Sequence, residues 1–158
     1  MTNDEFLKYF SATSGFNDGY RSVPIRSEKW RERFNAIRAR YAEYKKLVSQ
    51  GHESWEHGDP YAVADWINIF TPIEQAAWSD IRGLPFTVWP QFPVGKYFVD
   101  FAIVHKKIAI ECDGAAYHDA EKDALRDADL RGMGWKVVRI PGRDCWTDDG
   151  SQIIWSLA

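Results

Sequence analysis

Apolar residues recur at spacings of three and four between residues 27 and 49. Trp30, Phe34, Ile37, Tyr41, Tyr44 and Val48 form one stripe, which predicts an amphipathic helix. Gly51, Gly58 and Pro60 among polar residues predict a loop over 50–60. A short helical segment is expected over 61–69, where Ala62, Trp66 and Ile69 share a side. Thr71-Pro72-Ile73-Glu74 combines an N-cap residue, a first-turn proline and an acid at the third helical position. It opens a helix expected to reach about Arg82, closed by Gly83 and Pro85.

Beyond residue 85 the period changes to two. Strands are predicted at 86–89, 97–104 and 107–112, the last two joined by a tight turn at His105-Lys106. Gly114 breaks the third strand. A helix follows from about Asp119 to Arg131, stopped by Gly132 and Gly134. Residues 135–140 read as a strand and 151–157 as a closing helix. From Thr71 the order is helix, three strands, helix, strand, helix. That is an α/β (α+β) core on a mixed sheet at 71–158, preceded by a helical extension at 1–70.

Composition bounds what such a chain does. Its 158 residues are 45% apolar and 15% aromatic, enough for a packed core. There are 20 Lys+Arg against 23 Asp+Glu, a net charge of −3, which excludes a uniformly basic protein that coats nucleic acid. The charge is uneven, however. Residues 21–50 hold nine Lys/Arg and three acids, whereas residues 100–129 hold eight acids and four Lys/Arg. No run approaches the roughly 18 apolar residues of a membrane span, and MTNDEFLKYF does not read as a secretory signal. Two cysteines, Cys112 and Cys145, are too few for a disulfide framework or a Cys-based zinc site. They read as buried thiols in a cytoplasmic, reducing setting.

The chemistry concentrates between Asp100 and His118. If His105 and Lys106 form the turn, Asp100 falls opposite Glu111, with Cβ atoms about 5 Å apart on one side of the sheet. Asp113, two residues on, projects to the same side. Burying facing carboxylates costs several kcal/mol unless something offsets it. A shared proton, an Arg or Lys partner and a divalent cation each do so. An all-oxygen donor set suits Mg²⁺, Mn²⁺ or Ca²⁺.

These residues carry a resemblance. Asp100, then Glu111-Cys112-Asp113 on the next strand, resembles the Asp and Glu-x-Lys signature of the PD-(D/E)XK, or restriction-endonuclease-like, nucleases. Val99-Asp100-Phe101, the hairpin, Glu111-Cys112-Asp113-Gly114 and then His118 is similar to the very-short-patch mismatch-repair endonuclease branch. The similarity continues through Asp123-x-x-Arg126-Asp127-x-x-Leu130 and Gly134-Trp135-x-Val137-x-Arg139. It covers residues 71–139. The resemblance implies a restriction-endonuclease-like mixed sheet flanked by helices and a Mg²⁺-dependent DNA endonuclease, with Mn²⁺ an alternative ion. It implies Asp100, Glu111 and the backbone carbonyl of Cys112 as metal ligands, and a metal-activated water that attacks phosphorus in line. Asp113 stands where the superfamily has its lysine. His118 is then the candidate to activate water or contact the phosphate, alongside Asp100, Glu111 and Asp113 as catalytic candidates. The zinc site of the mismatch-repair branch is not visible.

Other residues carry two readings each. Glu74 is a capping-box acid or a further metal ligand. Arg31, Arg38 and Lys45 form a solvated helix face or a phosphate-contacting ridge. Lys122 and Arg126 are helix-surface cations or the positive charge missing from position 113. Asp127 reads as structural, tied to the sheet or to Arg139. Trp55, Trp66 and Trp89 are candidates for DNA contact. The expected partner is DNA, with RNA open and no membrane. A homodimer or a protein partner is also open, because a double-strand break usually needs two sites. The alternative function is a non-catalytic nucleic-acid- or protein-binding module that keeps the nuclease fold, or an RNA-directed nuclease.

Overall fold

The computed structural model describes residues 28–113 and 120–158, and the side chains from residue 31 onward within the first stretch. The chain divides into two compact units. One comprises the described residues 28–54 and 58–72, the other 55–57 and 73–158.

In the first unit, helix α1 spans Glu28–Ser49. It buries Arg33, Ala36, Ile37, Tyr41 and Tyr44, whereas Phe34 and Val48 stay half-exposed. The stripe of the sequence is thus rotated slightly toward Arg33. The helix ends where Gly51 N–H bonds to the Val48 carbonyl and His52 N–H to the Leu47 carbonyl. That closure needs the left-handed backbone Gly51 takes at φ 78°. The helix expected over 61–69 is instead two single turns, Pro60–Ala62 and Trp66–Asn68. Asp59 caps the first by accepting from Tyr61 N at 2.9 Å. Trp66 is fully buried between stacked Tyr41 and Phe70 rings.

The second unit carries helix α2 (Pro72–Ile81) and strands β1 (Trp89–Val94), β2 (Tyr97–Ile103) and β3 (Ile108–Asp113). Helix α3 (Ala120–Gly132), strand β4 (Lys136–Pro141) and helix α4 (Asp148–Trp155) complete it. The sheet order is β1-β2-β3-β4. β1–β2 and β2–β3 are antiparallel and β3–β4 parallel, so the sheet is mixed as expected. The crossover that makes β3–β4 parallel contains α3. This helix ends at Gly134, φ 89°, with Gly134 N–H on the Arg131 carbonyl and Trp135 N–H on the Leu130 carbonyl.

Two details differ from the sequence reading. The strand expected at 86–89 lies at Trp89–Val94, across Pro90 and Pro93. Prolines read as breakers, but β1 is an edge strand, where a missing N–H costs no ladder bond. The turn between β2 and β3 is four residues, not two. Val104–Lys106 forms a single 3₁₀ turn and Lys107 takes φ 52°. A two-residue hairpin turn favours Gly or Asn at its positive-φ positions, and His105-Lys106 offers neither. Residues 55–57, which read as linker, belong to this unit. Trp55 sets its ring edge-on to Trp89 and Phe92, and its carbonyl accepts from Trp89 Nε1 at 2.8 Å.

The two sheet faces have different jobs. Val99, Phe101 and Ile103 share one face with Ile108, Ile110 and Cys112, and Trp78 of α2 stacks on Phe101 there. Asp100, Glu111 and Asp113 point to the other face, together with Arg139 of β4. Ala109, Ile110, Leu130 and Ile140 are wholly buried and make the central sheet rigid beneath these acids.

Candidate active site

The register Phe101↔Ile110, Ala102↔Ala109, Ile103↔Ile108 is the one the sequence predicts, despite the longer turn. Continued by one residue it sets Asp100 opposite Glu111. Asp100 Oδ2 also accepts the backbone N–H of Cys112 at 2.8 Å. Glu111 is only 3% exposed. Its carboxyl lies within hydrogen-bonding reach of Asp100. Burial first, then the charge of Asp100, pushes Glu111 well above the usual carboxylate range, with Arg126 pulling the other way. Burial likewise raises Asp100, against the Cys112 N–H, the Glu111 side chain and the charge of Arg126, which favour its charged form. Of the three ways to relieve facing acids, the structure shows one, an arginine partner.

That arginine is Arg126 of α3. Its Nη2 lies 2.5 Å from Glu111 Oε1 and donates to the Phe98 carbonyl at 2.7 Å. The guanidinium also sits 5.8 Å from the centre of the Tyr97 ring. Glu111 Oε1 has no aligned hydrogen-bond donor, so its contact with Arg126 is charge attraction without directed hydrogen bonding.

Asp113 goes elsewhere. Arg139 Nη1 meets Asp113 Oδ1 at 2.7 Å, while Nη2 and Nε hold the two oxygens of Asp127 at 2.6 and 3.2 Å. Asp127, read from the sequence as structural, is thus clamped by Arg139. These bonds, led by Asp127, raise the Arg139 pKa above its ordinary value. An arginine among the apolar residues of a strand is the sequence signal for such a clamp.

Glu74 is buried on α2 and accepts from Gln91 Nε2 at 2.7 Å. No local pattern singles out Gln91. The β1–β2 register on either side sets it opposite Asp100, yet it takes φ 46° and its side chain reaches Glu74. Cys112 faces away from the acids and is hydrogen-bonded to Cys145. That contact and burial push the Cys112 thiol far up, and the same contact lowers Cys145. His118 lies outside the described residues. Arg31, Lys45 and Lys122 are exposed and Arg38 is half-exposed.

Two of the tryptophans read as candidates for DNA contact are a correction: Trp66 and Trp89 are fully buried. Trp55 is half-buried and sets its ring edge-on to Trp89 and Phe92. Large aromatics are first of all core material.

Among the described residues there is no group of three His, Cys, Asp or Glu close enough to hold a metal ion. Glu74 pairs with Gln91 and Asp113 with Arg139. Two carboxylates still fit Mg²⁺, which keeps several waters and takes substrate phosphate oxygens in place of an all-protein cage.

The profile of the REase_MTES_1575 family, which is restriction-endonuclease-like, matches residues 74–156. An uncharacterized protein of Haemophilus influenzae (strain ATCC 51907 / DSM 11121 / KW20 / Rd) is 39% identical over 76 residues, covering 44% of this chain and 63% of that one. The uncharacterized protein YcjD of Escherichia coli K12 is 32% identical over 71 residues, covering 42% and 61%. The chain thus spans under two thirds of the length of these curated relatives. Among solved structures, the catalytic domain of homing endonuclease I-Bth0305I is similar at a TM-score of 0.46 and 20% identity. The similarity covers 56% of this chain and 91% of that domain. No described helix is long and apolar enough to cross a membrane.

Proposed function

Because this chain belongs to the restriction-endonuclease-like family REase_MTES_1575, we propose that it is a Mg²⁺-dependent endonuclease that hydrolyses phosphodiester bonds of DNA. The observation that carries this reading is the Asp100–Glu111 pair, set side by side on adjacent central strands of the sheet. A fold does not keep two repelling acids in its sheet for stability. Asp100 and Glu111 would hold the ion, with the Cys112 carbonyl between them in sequence. Bound there, Mg²⁺ supplies charge neutralisation at the scissile phosphate and acidifies an attacking water.

The chain's own residues do the rest. The Cys112 N–H fixes one oxygen of Asp100. The Asp113–Arg139–Asp127 clamp ties the ends of β3 and β4 to α3 and so keeps the acidic face in register. His118 is the candidate to take or give the proton at the attacking or leaving oxygen. Arg31, Arg38, Lys45 and Lys122 are candidates for phosphate contact, which would give salt-sensitive binding with little sequence preference. The spacing from Asp100 to His118 supports kinship with the very-short-patch mismatch-repair branch.

The test incubates the protein with plasmid and with single-stranded DNA, in Mg²⁺, Mn²⁺ or EDTA, beside Asp100→Ala and Glu111→Ala. Cleavage should need the ion and both acids. Cleavage that survives EDTA or either substitution would sink the mechanism. A second reading is favoured by one observation: Asp113, already paired with Arg139, brings no positive charge to the site. On that reading the protein is a binding module, and DNA or RNA is bound without metal and never cut.

A further inference from the structure

We propose that Arg126 is a built-in competitor for the metal site: it holds Glu111 when no ion is bound, and turns to the scissile phosphate when one is. This rests on the reading of Asp100 and Glu111 as the metal-binding pair. The two arginines near the acids are bound in opposite ways. Arg139 is saturated, with three contacts of 3.2 Å or less to two carboxylates. Its charge is neutralised where it stands.

Arg126 is anchored independently of the acid it neutralises. Its directed hydrogen bond goes to the Phe98 carbonyl, and the Tyr97 ring lies at its side. Its contact with Glu111 is short but lacks hydrogen-bond geometry on the Glu111 oxygen. If Glu111 turns to another cation, the guanidinium loses charge attraction but keeps its anchor, so it stays at the site. It then faces whatever anion the site admits. A phosphoryl group in transfer spreads negative charge over its free oxygens, and a planar guanidinium pairs with two of them. Arg126 would also hold the site closed to stray cations, because an arriving ion must displace a positive charge from Glu111.

The experiment titrates the intact protein with Mg²⁺ by calorimetry, without DNA, and measures plasmid cleavage in parallel. Wild type is compared with Arg126→Gln and Arg126→Lys. Arg126→Gln should bind Mg²⁺ on the order of tenfold tighter, because the competitor is gone, and should cleave on the order of a hundredfold more slowly. Arg126→Lys should fall between on both readouts. It decides the matter if the glutamine variant, with Glu111 left uncompensated, fails to fold. Mg²⁺ binding unchanged or weakened in a folded variant overturns the competition, and tighter binding with undiminished cleavage overturns the phosphate role. Absence of Mg²⁺ binding in all three proteins overturns the metal reading of Asp100 and Glu111 itself.

Discussion

Asp100 Oδ2 accepts the Cys112 backbone N–H at 2.8 Å, so the acid on β2 is tied to the backbone of the strand that carries Glu111. The strand pairing therefore sets the Asp100 carboxyl beside that of Glu111. Their repulsion is built into the sheet.

Asp100→Asn keeps an oxygen for that N–H and removes the charge. We expect metal-dependent cleavage to fall on the order of a hundredfold or more. In EDTA the melting temperature should stay level or rise, because Glu111 loses its repelling neighbour. A gel assay and thermal melts on one preparation check both. A clear drop in melting temperature would show that the pair is not strained.

The metal-free protein should also lose stability as pH rises. Burial raises both Asp100 and Glu111 in the folded state, whereas in the unfolded chain both return to about 4. Between those limits the folded state holds more protons than the unfolded one. The stability from this pair is complete below the unfolded values and is lost as pH climbs through the raised folded ones. Melts in EDTA from about pH 5 to about pH 8 should decline more steeply in wild type than in Asp100→Asn/Glu111→Gln. Parallel profiles would contradict the shift.

Arg139→Ala strands Asp113 and Asp127, both mostly buried, without their counter-charge. We expect a loss of about 2 kcal/mol in denaturant unfolding. Arg139→Lys should recover only part of it, because one ammonium cannot span two carboxylates as the guanidinium fork does. Full recovery by lysine would mean that charge alone matters here.

Trp66→Ala should cost about 3–5 kcal/mol, the usual range for deleting a fully buried large aromatic. Trp55→Ala should cost less, since its ring is only half-buried. Neither should change DNA affinity once folding is matched. A gel-shift titration at fixed salt checks this, and weakened binding by a folded variant would restore these rings as contacts.

Local pattern made much of the core legible. The alternation of Tyr97–Val104 and Lys107–Cys112 yields the true β2–β3 register even though the turn length was misjudged, because pairing follows the buried face. The same register places Asp100 by Glu111. Pro90 and Pro93 mask β1 as an edge strand, whose partner a single sequence does not display. The link from Arg126 to Glu111 joins residues far apart in sequence across a crossover, and no local period reports that. Gln91 is harder still: its left-handed backbone has no glycine or asparagine to announce it.

Pro90, Pro93 and the left-handed Gln91 leave β1 without the regular row of N–H donors that an outer strand normally offers. Such a border cannot zip onto a second sheet, so two copies of this chain cannot extend one continuous sheet through it. Two such sheets could be joined only through the other edge strand, β4, or through helices or loops. The same blunt border keeps the core from seeding fibrillar self-association along β1.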